Sequence, residues 1–151
     1  MTESDDTDHL IRPDDKKFLQ HYTTAWSSGD ESLLREVFAD NGVYIDSGMG
    51  HTYTGVADVA RFFRHMLRFS SDTLVDFTSI VSDGNAFVAE WIWSGTADGP
   101  LSLGEKLHPP TGRRYSVPGV AVCRSDAAGR VSYHKDYYDV RNFIQQLGID
   151  D

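Results

Sequence analysis

The sequence predicts an α+β fold in which a curved antiparallel sheet wraps around helices and encloses an internal pocket. Apolar residues recur at helical spacing through the first half of the chain, whereas β-branched and aromatic segments dominate the second half. Helices that are segregated from a meander of strands are typical of α+β proteins. Because Gly and Pro interrupt the long strands, the sheet should curl and leave room for a small ligand beneath it.

The individual elements follow from caps, breakers and hydrophobic spacing. Asp14 or Asp15 can cap a helix that opens at Pro13, and Asp30 can cap a second helix. Asp83 and Gly84 are a hairpin signal between two strands. In chain order we expect a helix from Pro13 broken at 27–30, a helix over 33–38, a turn at 41–42, a strand over 43–46, a loop over 47–54, a helix from about Gly55 to Leu67, strands over 74–82 and 86–96, a loop over 97–112, strands over 113–124 and 130–138, and a helix capped by Asp139 and ended by Gly148.

Length and composition favour one domain. The chain has 151 residues, of which 40% are hydrophobic and 25% charged, as is ordinary for a globular protein. We expect the domain over 13–149 and a disordered acidic arm over 1–12. The net charge of −9 is concentrated at the two ends, and no basic stripe is present, so nucleic acid is not an expected partner.

Membrane insertion and secretion are not expected either. No apolar run approaches the roughly 20 residues that span a bilayer, and the first residues contain no apolar signal segment. Cys123 is the single cysteine, which excludes an internal disulfide. These observations together favour a cytoplasmic protein.

Several segments of the chain resemble the cone-shaped α+β domains of the nuclear-transport-factor-2-like (NTF2-like) superfamily, and within it the SnoaL-like polyketide cyclases. The resemblance covers about residues 14–149 and implies a cofactor-independent site and a homodimer formed through the convex face of the sheet. The segments that carry it are 22–30 (YTTAWSSGD), 38–46 (FADNGVYID), 110–113 (PTGR), 134–139 (HKDYYD) and 146–148 (QLG).

The last strand supplies the first candidate catalytic residues. Side chains alternate along it, so Ser132, His134, Asp136 and Tyr138 share one face, but the spacing does not tell which face lines the pocket. The resemblance implies that Asp136 is the acid/base of the cyclases. Burial in an apolar cavity would raise the pKa of its carboxyl group, and His134 could share its proton or orient the ligand. Alternatively, both residues lie at the sheet rim and pair with Arg or water.

A resemblance to ketosteroid isomerases adds Asp46 and Tyr22. Their general-base Asp matches Asp46, and the Tyr that stabilises their enolate matches Tyr22, whereas their second oxyanion donor is replaced by Ala121. Asp46 would hold a water or act as a second base, and Tyr22 would donate to an enolate oxygen. The structural alternatives are a strand-end cap for Asp46 and a core aromatic for Tyr22.

Limonene-type epoxide hydrolases offer a third comparison. The residues that hold their water match Tyr44, Asp46 and Asp136, but the Arg and second Asp that they also need are replaced by Trp91 and Trp93. The epoxide-opening mechanism is therefore incomplete in this chain.

Aromatic residues are the expected binding surface. Trp91 and Trp93 share one face of a strand and would form a flat wall for a planar or fused-ring ligand, with Trp26 as a third indole. Tyr44 and Tyr138 complete the predicted substrate-binding set. Core packing or a subunit interface is the alternative role for these aromatics.

No dedicated metal or phosphate site is expected. The chain lacks HExxH, paired CxxC and Gly-rich phosphate-loop motifs, and a metal triad of Asp46, His134 and Asp136 is a minor alternative. His51 is expected in a solvent-exposed loop and His65 on the polar side of the third helix.

These features predict a cofactor-independent enzyme that uses general acid/base catalysis on a small hydrophobic, polyketide-like or polycyclic carbonyl compound. The reaction would be an aldol cyclisation or an isomerisation. The alternative is a non-catalytic binding or carrier module for a hydrophobic metabolite, and a third possibility is a structural domain that binds a partner protein.

Overall fold

The computed structural model describes residues 13–149. The predicted acidic arm over 1–12 lies outside the described residues, so the domain boundary at residue 13 stays a prediction. The elements are α1 (Pro13–Ser27), α2 (Glu31–Val37), β1 (Phe38–Asp46), β2 (His51–Thr54), α3 (Val56–Phe69), β3 (Leu74–Asp83), β4 (Ala86–Thr96), β5 (Leu101–Leu103), β6 (Lys106–His108), β7 (Arg114–Ser125), β8 (Val131–Tyr138) and α4 (Val140–Leu147).

The α+β class is confirmed, with one departure from the expected antiparallel sheet. Six strands form one sheet in the order β2-β1-β8-β7-β4-β3. The pair β1–β8, the second and third strands of this order, is parallel, while the other neighbours in this sheet are antiparallel. Strands β5 and β6 form a separate hairpin. The parallel pair brings an early and a late segment of the chain side by side.

Three local expectations were wrong, all in segments rich in Gly or Pro. Strand β1 begins at Phe38 rather than at residue 43, because Gly42 is buried inside the strand and does not form a turn. A Cβ atom at Gly42 would overlap the Phe38 ring, so this glycine permits close packing at an irregularity in the pairing of β1. Strand β2 lies within the predicted loop over 47–54, and the β5–β6 hairpin lies within the predicted loop over 97–112.

Alternation along β4 and β7 separates the two faces of the sheet. Trp91 and Trp93 are buried on the inner face, whereas Val88 and Ile92 point outward and are each 41% exposed. Helix α1 packs against β3, α3 against β1 and β2, and α4 against β7. The helices therefore cover the inner face of the sheet and leave part of its outer face uncovered.

Helix α3 closes one side of the interior because its apolar residues recur at helical spacing. It buries Val56, Val59, Ala60 and Phe63, and each larger apolar side chain contributes about 1.5–3 kcal/mol when fully buried. Its opposite face carries charged residues that remain exposed. No helix within residues 13–149 is long and apolar enough to cross a membrane.

Candidate active site

A cavity of about 420 Å³ lies between the inner face of the sheet and α3. Its volume is within the range of small-molecule sites. Most of its wall is aromatic or aliphatic, and its buried end carries the side chains of His134, Asp46 and Asp136. The aromatic part of the wall includes Trp26, Tyr44, Tyr53, Phe62, Trp91 and Trp93. The cavity thus combines an apolar surface with a few convergent polar groups.

Asp136 is the most densely bonded polar group of the cavity. Its Oδ1 accepts hydrogen bonds from His134 Nε2 at 2.7 Å and from Trp91 Nε1 at 3.0 Å, and its Oδ2 accepts one from the Tyr44 hydroxyl. The residue is 6% exposed and belongs to the cavity wall. Because three donors point at it, the carboxylate is the form that accepts all of these bonds.

His134 connects Asp136 to the hydrophobic core. Its Nδ1 lies 2.8 Å from the Tyr22 hydroxyl and 3.5 Å from Cys123 Sγ, and its ring stacks on Tyr44 with centroids 4.6 Å apart. Burial opposes the charged form of His134, but the charge and hydrogen bond of Asp136, together with Tyr22 and Cys123, outweigh burial and raise the pKa of His134 well above its usual value. His134 and Asp136 therefore form a buried imidazolium–carboxylate pair.

Tyr22 lies behind this pair rather than at the cavity wall. Its side chain is completely buried, its hydroxyl bonds to His134, and it is not among the residues that line the cavity. The role of direct enolate donor that the resemblance implied does not fit this position. A hydroxyl can accept from Nδ1–H of the imidazolium and donate to Nδ1 of the neutral imidazole, so Tyr22 serves both protonation states of His134.

Asp46 is the second buried carboxyl group, and its surroundings differ. Its Oδ1 accepts from the Tyr138 hydroxyl at 2.9 Å and from the Met49 backbone N–H at 3.0 Å. Burial raises the pKa of Asp46, and the nearby Asp136 carboxylate adds to this effect. Asp46 is therefore the carboxyl group of the cavity that takes up a proton more readily than an ordinary Asp.

The parallel β1–β8 pair explains why these groups meet. In its register Asp46 lies opposite Asp136 and Tyr44 lies opposite His134. An irregularity between β7 and β8 near residue 131 precedes the segment in which His134 and Asp136 are buried. Sequence spacing did not tell which face of β8 lines the cavity. In the structure it is the face that carries His134, Asp136 and Tyr138.

Trp26, Trp91 and Trp93 all line the cavity, and two of them also donate hydrogen bonds. Trp91 holds Asp136, and Trp93 Nε1 donates to Thr73 Oγ1 at 2.9 Å. A Cβ atom at Gly119 would overlap the Trp91 indole, so the lack of a side chain at Gly119 makes room for this ring. The pairing of β4 with β7 continues through Pro118 and Gly119 without a register shift. The donor role of Trp91 has no signal in the sequence, because it depends on a strand 45 residues away.

Two of the histidines differ from their expected surroundings. His51 is exposed, but it lies on β2 and reaches the cavity wall. His65 is half-buried and also lines the cavity, so it is not confined to the solvent-facing side of α3. Cys123 is buried in a strand as expected. Among residues 13–149, no group of three or more His, Cys, Asp and Glu side chains is arranged to hold a metal ion.

The fold and the cavity define an α+β domain whose internal cavity has titratable groups at its buried end. The chain belongs to the SnoaL-like domain family, whose sequence model matches residues 19–134. None of the curated proteins compared with the chain matches it. The matched range includes Tyr22, Asp46 and His134 and ends just before Asp136.

Solved structures share this fold at low sequence identity. TsrD from Streptomyces laurentii is 24% identical, with a TM-score of 0.76 over 92% of this chain and 98% of that one. A candidate SnoaL-like polyketide cyclase from Jannaschia sp. CCS1 is 17% identical, with a TM-score of 0.73 over 93% of this chain and 98% of that one. A protein of ketosteroid isomerase-like fold from Catenulispora acidiphila, solved with trimethylamine, is 20% identical, with a TM-score of 0.72 over 87% of this chain and 92% of that one. These similarities establish the NTF2-like fold.

Proposed function

We propose that this protein is a cofactor-independent enzyme that moves protons on a small hydrophobic carbonyl compound, in an aldol cyclisation or an isomerisation. The observation that carries the proposal is the Asp136 carboxylate, held by three donors at the buried end of an apolar cavity. A fixed carboxylate in apolar surroundings is suited to take a proton from a carbon next to a carbonyl group.

Asp136 is the proposed general base. One of its oxygen lone pairs takes the proton from the substrate carbon, and the electrons of the C–H bond move toward the carbonyl oxygen to form an enolate. His134 and Trp91 keep the carboxylate in one orientation through bonds of 2.7 and 3.0 Å. A positioned base of this kind contributes about 10²–10⁴-fold to the rate.

Asp46 and Tyr138 are the proposed partners of the developing oxyanion. The pKa of Asp46 is raised by burial, so its protonated form can donate to the substrate oxygen. The Tyr138 hydroxyl donates to Asp46 Oδ1 at 2.9 Å and would turn its proton to the substrate oxygen to act as a second donor. Asp46 and Tyr138 are thus proposed to donate to the enolate oxygen, a role that the isomerase resemblance implied for Tyr22. The pair also supplies the donor that the isomerase comparison placed at Ala121.

The enolate can react further without a redox step. In an aldol closure the enolate carbon forms a C–C bond with a second carbonyl carbon of the same molecule, and the resulting alkoxide takes a proton from Asp46 or from protonated Asp136. In an isomerisation the proton returns to a different carbon. Neither route consumes an oxidant or a reductant, which supports a cofactor-independent enzyme.

His134 and Tyr22 are proposed positioning residues. The imidazolium stabilises the negative charge of Asp136 between turnovers, and Tyr22 satisfies Nδ1 of His134. The three tryptophans and Tyr44 are proposed to bind a ring-containing substrate by stacking and apolar contact.

The test is a panel of cyclic ketones and linear polyketide mimics, examined by thermal shift and by product mass. We expect some members to stabilise the native chain and to be converted, and Asp136→Asn to bind them without conversion. Asp76→Asn is the matched control, because Asp76 is an exposed carboxylate on β3 outside the cavity. Stabilisation without any product in the native chain would contradict the enzyme and support the carrier module instead.

We further propose a homodimer formed through the outer face of the sheet. Val88 lies opposite Val122 and Ile92 lies opposite Pro118 on neighbouring strands, and all four side chains are exposed. These apolar residues, with Glu90 between Val88 and Ile92 on the same face, are suited to a self-complementary contact. Light scattering should give twice the chain mass for the native protein and a lower mass for Ile92→Glu, and a native monomer at micromolar concentration would contradict the dimer.

We propose the cytoplasm as the place of action. Cys123 is buried and unpaired, which suits a reducing compartment. Fractionation of the source cells would test this, and recovery outside the cytoplasmic fraction would contradict it.

A further inference from the structure

Basic side chains lie along one edge of the cavity, opposite in charge to its buried end. Arg61, His65 and Arg68 are spaced by four and three residues on α3, which places them on one side of the helix, and all three line the cavity. His51 reaches the same cavity from β2. Both arginines and His51 are exposed, whereas Asp136 is buried, so the basic groups lie at the entrance.

The positive charge at this entrance is only partly compensated. Arg61 forms an ion pair with Asp58, but among residues 13–149 no carboxylate lies within ion-pair distance of Arg68. Arg64, on the same helix but outside the cavity, is paired with Glu31. Arg61 and Arg64 are thus each compensated by a carboxylate, whereas Arg68 lines the cavity without an ion pair to any described side chain.

The surroundings of His65 agree with an excess of positive charge. Burial lowers the pKa of His65, and the nearby Arg68 and His51 lower it further. Such mutual repulsion would be relieved by an anion among these groups. The chain as a whole carries a net charge of −9, so a locally basic cavity entrance stands apart from the rest of the sequence.

We propose that the ligand of this cavity is a ring-containing carbonyl compound that also carries a carboxylate, and that the carboxylate lies against Arg68 and His65 at the entrance. The inference rests on the proposed function for the carbonyl group and adds the anionic group. A guanidinium binds a carboxylate through two parallel hydrogen bonds, and the apolar body would extend inward past Phe62 and Met66.

The charges at the two ends of the cavity also define the orientation of such a ligand. The Asp136 carboxylate and the apolar wall disfavour an anionic group at the buried end, while Arg68 attracts it to the entrance. The carboxylate consequently stays outside, and the neutral carbonyl end is presented to Asp136. The entrance thus contributes to substrate selection and alignment.

The test compares two probes of the same ring size, 2-naphthoate and its neutral methyl ester, by calorimetric titration. We expect the native chain to bind the anion about five-fold more tightly than the ester, and this preference to decrease with added salt. Arg68→Gln should abolish most of the preference. Arg64→Gln is the matched control, since it removes the same charge from the same helix outside the cavity, and it should leave the preference nearly unchanged.

A second readout separates binding at the entrance from a general charge effect. Bound 2-naphthoate should raise the pKa of His65, followed by its NMR signals, and the ester should not. Equal affinities for the two probes, or equal losses in Arg68→Gln and Arg64→Gln, would overturn the inference. If the protein converts neutral ketones but shows no preference for the anion, the anionic ligand is wrong and the proposed enzyme still stands. If it prefers the anion but converts no compound, the proposed enzyme is wrong and the anionic ligand still stands.

Discussion

Asp46 and Asp136 are the same residue type, lie opposite each other on neighbouring parallel strands and line the same cavity, but their surroundings differ. Asp136 accepts bonds from an imidazole, an indole and a phenol. Asp46 accepts from one phenol and one backbone N–H, and its pKa is raised mainly by burial. The backbone register brings the two carboxyl groups together, and the side chains around them give each group a different set of hydrogen-bond donors.

In the proposed mechanism, this difference allows one cavity to hold a base, Asp136, and an acid, Asp46. A pair of equal carboxylates would repel each other, and neither would have a defined role. Here His134 compensates the charge of Asp136, while Asp46 retains a proton more readily. The comparison predicts that equivalent substitutions at the two positions have unequal effects.

The largest expected effect is on stability. Asp136→Ala leaves His134, Trp91 and Tyr44 without their acceptor, and breaking a buried ion pair in this way costs about 3–5 kcal/mol of the free energy of unfolding. Asp46→Ala should cost less than about 2 kcal/mol, because it removes fewer bonds and a carboxyl group that burial disfavours. Denaturant unfolding of both variants measures the difference, and equal losses would show that the two sites are energetically alike.

The pH dependence of stability should separate the two groups next. Folding raises the pKa of each, so each contributes stability that is lost as the pH rises, but in different windows. The loss starts above about pH 3.8 for Asp46 and above about pH 6.5 for His134, their ordinary values, at about 1.4 kcal/mol for each unit of raised pKa. Unfolding curves of Asp46→Asn and His134→Gln should each lack the slope of one window. If the slope of unfolding free energy against pH is unchanged in both variants, other titratable groups cause the pH dependence.

A smaller effect is expected from Tyr22→Phe, which keeps the ring and removes the hydroxyl at 2.8 Å from His134 Nδ1. The free energy of unfolding should fall by about 1 kcal/mol. The pKa of His134 should also fall, because the imidazolium loses an acceptor for Nδ1–H. Tyr138→Phe is the comparison, since its hydroxyl bonds to Asp46 instead. An unchanged NMR titration of His134 in Tyr22→Phe would remove Tyr22 from the positioning role.

Most of the fold was predictable because its signals are local. The hairpin at Asp83-Gly84 and the cap at Asp139 are present where the sequence indicates them. The start of β1 was missed because Gly42 looks like a turn residue in a sequence, whereas in the structure it accommodates the Phe38 ring. The parallel pairing of β1 with β8 has no local signal, since it joins segments about 90 residues apart.

The site was predictable by residue type but not by role. Period-two alternation placed His134 and Asp136 on one face, and the structure brings that face into the cavity. The bonds of Tyr22 to His134 and of Trp91 to Asp136 join residues separated by 112 and 45 positions. Such contacts depend on tertiary packing, so a pattern within one element contains no information about them.

The most direct measurement of the central claim is the exchange of substrate carbon protons for deuterium in heavy water, followed by mass. It uses a ketone that stabilises the native chain, and compares Asp136→Asn with Asp46→Asn. Loss of the base in Asp136→Asn should slow the exchange by about 10²–10⁴-fold, and Asp46→Asn should slow it by less, because an amide still donates to the carbonyl oxygen. An exchange rate in Asp136→Asn equal to that of the native chain would contradict the account.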